Sequence, residues 1–245
     1  MRVNRIHVEQ PLHVGSQASL GEAAAGHLLR VLRAGVGDAC VVFNGDGNDY
    51  DARITAIGKR NALVEVLAMR CPGNESPLRI TLLQALARGE KMDLVLQKGT
   101  ELGVAAIVPV TSDRSEVRLD AERVDKRVAH WRNVVIAACE QCGRARIPPV
   151  ALPASFAQAL PALPTASRRL LLDPDASQAV GDLALRSVDA VVLAIGPEGG
   201  WSPRDREILH AAGFEGVRLG PRILRTESAG LAAIAALQSR YGDLG

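Results

Sequence analysis

An apolar segment runs directly into a glycine-rich turn at Ala190-Val191-Val192-Leu193-Ala194-Ile195-Gly196-Pro197-Glu198-Gly199-Gly200-Trp201-Ser202-Pro203. Ser202 is a favourable N-cap, Pro203 suits the first helical position, and Asp205 completes a capping box. The pattern therefore predicts a strand over 190–195, a turn and a helix. Ligands of parallel α/β sheets bind beyond the carboxyl ends of strands, where glycine permits close backbone approach, so the turn is a candidate binding loop. A plain turn is the alternative interpretation.

A second turn repeats this design. Residues 217–219 predict a short strand, and Gly220-Pro221-Arg222-Ile223-Leu224-Arg225-Thr226-Glu227 leads into a predicted helix over 228–239 with Thr226 as its cap. We expect the two glycine-proline turns to lie at neighbouring strand ends and to form one ligand pocket. Neither turn carries a Walker motif or Gly-x-Gly-x-x-Gly, so a phosphate or dinucleotide loop is not indicated.

Strand-length apolar runs alternate with helical spacing through the second part of the chain. Strands are predicted over 78–86, 104–110 and 168–172, and a long helix over 120–139. Residues 148–164 are rich in Pro and Ala and predict a loop with one short helix. This order predicts an α/β domain over 78–245 with a mainly parallel sheet.

The first part of the chain has a different pattern. Short apolar runs separated by turn residues predict a small β-barrel over 1–70, with a hairpin turn at Asn44-Gly45. Residues 71–77 contain two prolines and a glycine, which predicts a linker between the two domains.

Composition limits the class of protein. The 245 residues carry 29 basic and 27 acidic side chains, so any RNA contact must rest on a local patch, and only 3% of residues are aromatic. The sequence shows no signal peptide and no apolar run of membrane-spanning length, which predicts a cytoplasmic protein without a membrane partner. Four cysteines in such a chain do not predict a disulfide framework.

The two turns resemble the cofactor motifs of RsmE-type methyltransferases in the SPOUT superfamily. The segments Ala138-Cys139-Glu140-Gln141-Cys142-Gly143-Arg144-Ala145-Arg146-Ile147-Pro148 and Glu101-Leu102-Gly103 also match family segments, so the resemblance covers roughly residues 78–237. The first domain is similar to the family's PUA-like RNA-binding barrel. Two positions depart from the family's pattern: Ser228 replaces the usual threonine, and Gly230 replaces alanine. Neither removes a cofactor loop.

The resemblance implies an activity and a fold. The activity is S-adenosylmethionine-dependent methylation of N3 of a uridine in 16S ribosomal RNA, within maturation of the small ribosomal subunit. The implied fold is a C-terminal SPOUT domain with a trefoil knot, and the implied assembly is a homodimer. Two other functions stay open: a SPOUT methyltransferase with another tRNA or rRNA target, and a noncatalytic RNA-binding ribosome-assembly protein.

Candidate site residues follow from the two turns and from the family-like segments. Cofactor contacts are predicted at Leu172, Gly196, Pro197, Glu198, Gly199, Gly200, Leu219, Gly220, Ile223, Leu224, Arg225 and Thr226. Methylation of the uridine imide requires loss of a proton and stabilisation of the anion, for which an arginine and a carboxylate are suited. The candidates for these roles are Arg114, Arg144, Arg225, Glu140 and Glu227. Structural ion pairs are the alternative for Arg225 and Glu227, and ordering of the following loop for Glu140.

Arginines of the first domain are candidates for phosphate contacts that position RNA without reading bases: Arg2, Arg5, Arg30 and Arg33. No metal site is predicted, because Cys139 and Cys142 lack a second cysteine pair or suitably spaced histidines. The segment 44–55 lacks the glycine and glutamate of a calcium loop, and the five histidines have no catalytic spacing.

Overall fold

The computed structural model describes residues 4–30, 34–117, 121–185 and 189–245. The contacts within the chain define two compact units. One contains Met1–Asn74 together with Cys139–Ile147, and the other contains Glu75–Ala138 and Pro148–Gly245.

The described part of residues 1–74 in the first unit forms a five-stranded sheet and a short helix. Its elements are β1 (Asn4–His7), β2 (Gln17–Leu20), α1 (Glu22–Arg30), β3 (Ala39–Phe43), β4 (Asp49–Ile57) and β5 (Ala62–Arg70). The strand order is β1-β3-β4-β5-β2; β1 pairs parallel with β3, and the other pairs are antiparallel. Alternating residues of β4 and β5, including Ile54 and Val64, are buried in its core, as the period of a half-buried strand requires. The predicted turn at Asn44-Gly45 does join two antiparallel strands.

The segment 139–147 belongs to this first unit through specific polar contacts. The Glu140 carboxylate accepts a hydrogen bond from the backbone N–H of His7 at 2.9 Å, and the Arg5 guanidinium donates to the Arg144 carbonyl at 2.9 Å. Arg5 also forms an ion pair with the buried carboxylate of Asp49 at 2.5 Å. A buried charge needs such pairing, so Arg5 has a structural task here.

The second unit is an α/β domain, which confirms the predicted fold class. Its strands are β6 (Arg79–Ala85), β7 (Val104–Thr111), β8 (Ala154–Ser155), β9 (Arg168–Leu172), β10 (Ala190–Ile195) and β11 (Glu215–Val217). They form one sheet in the order β11-β9-β10-β6-β7-β8, and every pair is parallel. The central strands β6 and β10 are buried along nearly their whole length, as in a sheet covered on both faces.

Helices connect these strands: α2 (Glu90–Glu101), α3 (Ala121–Cys142), α4 (Phe156–Ala162), α5 (Pro203–Ala211) and α6 (Thr226–Tyr241). The long helix predicted over 120–139 corresponds to α3, which buries Val128, Trp131 and Val135. Among the described residues, no helix combines the length and the apolar character needed to cross a bilayer.

Of the two predicted helix caps, that of α5 is confirmed and that of α6 was wrong. The α5 capping box is confirmed, because the Ser202 hydroxyl accepts from the Asp205 N–H and the Asp205 carboxylate accepts from the Ser202 N–H, each at 3.0 Å. Thr226 does not cap α6: the N-cap is Arg225, and the Thr226 hydroxyl donates to the Gly196 carbonyl at 2.5 Å. The Gly196 carbonyl oxygen, at the beginning of the first turn, accepts that proton because it lies within hydrogen-bonding distance.

Candidate functional site

The two glycine-proline turns meet at one cavity of about 500 Å³ at the carboxyl ends of the strands. Residues 195–201 form one wall and residues 219–226 form another. The strands before these turns are not adjacent, because β9 lies between β11 and β10. The expectation of neighbouring strand ends was therefore wrong. The turns still share a cavity because Leu172 and Pro174, at and just after the end of β9, line the space between them.

Backbone geometry explains the glycines of this cavity. Gly200 and Gly220 adopt φ values of 67° and 71°, in the left-handed region that favours glycine. An added Cβ at either position would meet no atom within 4 Å, so the space beside both is open. At Gly199 an added Cβ would lie 3.2 Å from Arg114 Cβ, a contact tight enough to displace Arg114 slightly. Close approach of a ligand to backbone is therefore possible along both turns.

Side chains from outside the first turn hold it in place. The Arg114 guanidinium donates to the Gly199 carbonyl at 3.0 Å, and the Ser202 hydroxyl donates to the Asp113 carboxylate at 2.8 Å. The Glu198 carboxylate accepts from the backbone N–H of Arg88 and from Lys91 Nζ, both at 3.1 Å. The first turn is thus tied to the segments that follow β6 and β7.

Charge in the cavity is mainly positive. Among the described lining residues, the positive side chains are Lys91, Arg114, Arg206, Arg222 and Arg225, and the one carboxylate is that of Glu198. Burial acts to raise the pKa of Glu198, but hydrogen bonds from the N–H groups of Arg88 and Glu198 and the contact with Lys91 outweigh it. The pKa of Glu198 is therefore held below its usual value, and the carboxylate stays ionised at neutral pH.

Arg206 is held by an acidic partner at the end of β9. Its guanidinium pairs with both oxygens of the Asp173 carboxylate, at 2.6 and 3.1 Å. Burial acts to raise the pKa of Asp173, whereas the hydrogen bonds and charge of Arg206 and the N–H of Asp175 lower it, with a net lowering. The pair therefore fixes Arg206, which lines the cavity together with Pro174.

Comparison with known proteins shows the family of the chain. The family described as RNA methyltransferase domain matches residues 74–238, and the RNA methyltransferase PUA domain matches residues 20–67. Ribosomal RNA small subunit methyltransferase E of Buchnera aphidicola is 34% identical, with 99% of this chain and 98% of that protein covered. The chain belongs to the ribosomal RNA small subunit methyltransferase E family. This finding confirms the resemblance that the two turns carry.

Solved structures of relatives agree with that membership. The family protein of Neisseria gonorrhoeae, solved bound to S-adenosyl methionine, is 40% identical with a TM-score of 0.90, and all of both chains is covered. A methyltransferase of Legionella pneumophila, solved with the bound cofactor SAM, is 37% identical with a TM-score of 0.94, covering 99% of this chain and all of that one.

Every residue predicted to contact the cofactor lines the cavity, including Leu172, Leu219, Ile223, Leu224 and Thr226. Of the predicted chemical residues, Arg114 and Arg225 also line it. Glu227 is not among the described lining residues. Its Oε2 is buried 3.9 Å from Lys91 Nζ and has no hydrogen-bond partner within the part of the chain that the structure describes. Glu140 and Arg144 belong to the first unit. The roles of all these residues stay predictions.

The arginines predicted to bind RNA have different positions. Arg2 and Arg33 lie outside the described residues, as does the side chain of Arg30. Arg5 is paired with Asp49 in the first unit, so its guanidinium already has a protein partner.

Sequence reasoning missed several lining residues, among them Lys91, Trp201 and Arg206. One signal was available for Lys91: it follows β6, which is the parallel neighbour of β10, and strand ends of one parallel sheet share an edge. No comparable signal marks Arg206, because its place in the cavity depends on how α5 packs.

Proposed function

We propose that this chain is an S-adenosylmethionine-dependent methyltransferase that acts on N3 of a uridine in 16S ribosomal RNA of the small subunit. The observation that carries the proposal is the single cavity built from two glycine-proline turns at the carboxyl ends of β10 and β11. Family membership supports the ribosomal RNA target, and the relatives solved with S-adenosylmethionine support the cofactor.

The residues of the cavity fit the proposed cofactor. A volume of about 500 Å³ is within the range of small-ligand sites. Backbone groups of Gly196, Gly200, Leu219, Gly220 and Leu224 are proposed to contact adenine and ribose, and the space beside Gly200 and Gly220 is open. The proposed contacts are completed by Leu172, Pro197, Glu198, Gly199, Ile223, Arg225 and Thr226. When bound, the cofactor supplies an electrophilic methyl group on a sulfonium sulfur.

The protein's own task is to orient the uracil and stabilise its charge. Loss of the N3 proton spreads negative charge over O2 and O4, where a fixed cation lowers the barrier. Arg225 and Arg114 are the proposed cations, because both line the cavity. Arg114 is additionally oriented by its hydrogen bond to the Gly199 carbonyl. Arg144 remains a third candidate from the first unit.

Glu227 is the proposed acceptor of the N3 proton, directly or through water, with Glu140 as the second candidate. The Glu227 Oε2 atom has no hydrogen-bond partner among the described residues and lies near Lys91, which lines the cavity. An unsatisfied carboxylate oxygen is able to accept a proton without first losing another hydrogen bond.

The test is methyl transfer from labelled S-adenosylmethionine to small subunits isolated from a strain that lacks the gene, followed by mass mapping of the modified nucleotide. Arg225→Ala is expected to lower kcat by about a hundredfold. The matched control Arg79→Ala removes the same charge from the exposed amino end of β6, opposite the end that faces the cavity. This variant is expected to leave kcat unchanged. Equal rates for the two variants would remove Arg225 from the mechanism.

Two parallel assays separate the alternatives. Transfer to tRNA but not to small subunits would favour another target of the same superfamily. Calorimetry that detects no affinity for S-adenosylmethionine would favour a noncatalytic RNA-binding protein.

We propose three further properties on the basis of family resemblance: a trefoil knot in the second domain, a homodimer, and a cytoplasmic location with the ribosome. We also retain the domain limits 1–70 and 78–245 with a linker over 71–77, and the contact boundary between Asn74 and Glu75 supports them. Light scattering of the purified chain tests the homodimer.

RNA contacts of the first domain are proposed at Arg2, Arg5, Arg30 and Arg33. The PUA match supports RNA binding by this domain. Phosphate contacts release counterions, so we expect the affinity for RNA to fall steeply with salt. A salt-independent affinity would remove these four arginines from the proposed interface.

A further inference from the structure

Gln84 is a fully buried polar residue in a mostly apolar strand. It lies at the carboxyl end of β6, where its side chain is fully buried and its backbone is in register with Ile195, the residue before the first turn. A buried amide is costly unless its hydrogen bonds are satisfied. Gln84 therefore needs partners inside the protein: its Nε2 has two, whereas its Oε1 has none among the described residues.

The amide donates two hydrogen bonds. Gln84 Nε2 lies 3.0 Å from the Ala85 carbonyl oxygen and 3.2 Å from the Thr226 hydroxyl. A carbonyl only accepts, so the group facing Ala85 must be the NH2 group, and this fixes the orientation of the amide. The second N–H is thereby directed at Thr226.

Thr226 continues the chain of hydrogen bonds to the first turn. Its hydroxyl has one proton, and the Gly196 carbonyl oxygen at 2.5 Å accepts it. One of the two lone pairs of the hydroxyl oxygen accepts the hydrogen bond from the Gln84 amide. The result is a directed chain of hydrogen bonds from Gln84 through Thr226 to Gly196, which joins β6, the end of the second turn and the beginning of the first.

We infer that Gln84 is a positioning residue for the methyl donor, acting through Thr226 to set the spacing of the two turns. The inference rests on the proposed function. Gly196 and Thr226 both line the cavity, one in each wall, and backbone recognition tolerates displacements of only about 0.5 Å. Without the Gln84 donor, the Thr226 hydroxyl loses a hydrogen-bond partner and can rotate. The spacing between the two walls of the cavity is then no longer fixed by this chain of hydrogen bonds.

Gln238 offers a matched control for a purely structural role. It is also a fully buried glutamine: its Nε2 donates to the Gly103 carbonyl at 3.3 Å, and its Oε1 accepts from the Ser76 hydroxyl at 2.6 Å. Gln238 lies near the end of α6, whereas Thr226 begins that helix, and it is absent from the described cavity lining.

The experiment compares Gln84→Met with Gln238→Met in the full chain, by calorimetric titration with S-adenosylmethionine and by thermal unfolding. Both variants are expected to unfold at lower temperature. Only Gln84→Met is expected to bind the cofactor about tenfold more weakly, with KM for the cofactor rising more than kcat falls. Equal affinity in the two variants would overturn the inference, whereas absence of binding by the unchanged chain would overturn the proposed function as well.

A second pair carries the test if Gln84→Met does not fold. Thr226→Val keeps the shape and loses the hydroxyl, and Thr226→Ser keeps the hydroxyl, so the serine variant is expected to bind more tightly than the valine variant. Where Gln84→Met does fold, the double variant with Thr226→Val is expected to bind no more weakly than Thr226→Val alone, because both changes break one chain. Additive losses, or equal affinities for the valine and serine variants, would refute the assignment.

Discussion

Gly220 is a residue at which backbone conformation, not space, excludes a side chain. Its φ is 71°, and an added Cβ would meet no atom within 4 Å. Gly220→Ala is expected to lose about 1–2 kcal/mol of unfolding free energy through left-handed strain and to weaken cofactor binding. Gly213→Ala is the control, because Gly213 has φ 81° and equally open space but does not line the cavity. Calorimetry should find weaker binding for the first variant only; a similar loss in both would contradict this reading.

Asp173 makes stability depend on pH in a defined direction. The pKa of its carboxyl is lowered in the folded chain, so its pair with Arg206 contributes stability above the usual carboxyl range, and the contribution is lost as pH falls through the folded pKa. Asp173→Asn should therefore destabilise the protein at about pH 7 and much less at about pH 3. Denaturant unfolding measures the difference.

The control for this effect is Asp175→Asn. Asp175 also pairs with Arg206, at 3.5 Å, but 85% of its side chain is exposed, so its removal should cost about 1 kcal/mol at most. A pH-independent difference between the unchanged chain and Asp173→Asn would show that the pair is not the source of the effect.

Several residues of the site could be predicted from sequence, and others could not. The turns at 196–201 and 219–226 are marked by glycine and proline, whose conformational demands are local. Gln84 and Arg206 carry no local mark, because their partners Thr226 and Asp173 lie far away in sequence. Only folding brings these pairs together.

At the scale of elements, α5 depends on its start. Ser202 accepts from the Asp205 N–H and donates to Asp113, so Ser202→Ala removes a helix cap and a link to the segment after β7. We expect a loss of about 1–2 kcal/mol in unfolding free energy. Ser202→Thr retains the hydroxyl and should lose less. Thermal denaturation measures the difference between the two variants. Equal midpoints would exclude a role for the hydroxyl.

Elements with sharp local boundaries were predicted best. The strands over 168–172 and 190–195 were predicted at the residues where they occur. The helix α1 was missed because Glu22–Arg30 is short and lies among strand-like segments. Thr226 was misassigned as a cap because its partner, the Gly196 carbonyl, comes from a different strand. Tertiary contacts, which local sequence propensity does not reveal, determine the role of Thr226.

For the molecule as a whole, the pattern of thiol reactivity tests the fold. Cys71 is exposed, whereas Cys40 and Cys139 are buried, and burial raises the pKa of Cys40 to about 11. A thiolate-selective reagent at neutral pH should therefore modify Cys71 first and leave Cys40 unmodified in the native chain. Mass spectrometry of labelled peptides, with denatured protein as the control, measures the order. Rapid native labelling of Cys40 would contradict the core of the first unit.

The order of strands was less accessible to prediction than their existence. Nothing local indicates that β9 inserts between β10 and β11, since strand order depends on how the crossovers fold over the sheet. The composition and the alternation of elements were sufficient for the α/β class.

The cavity walls come from segments far apart in the chain, near residues 91, 114, 172, 196 and 220. A nascent polypeptide therefore has no pocket until the last of these segments has left the ribosome and docked. A ligand that recognises the completed pocket adds its binding free energy only to the finished fold and draws the population toward it by mass action. Supply of that small molecule would then stabilise mature copies against degradation while giving no protection to unfinished ones.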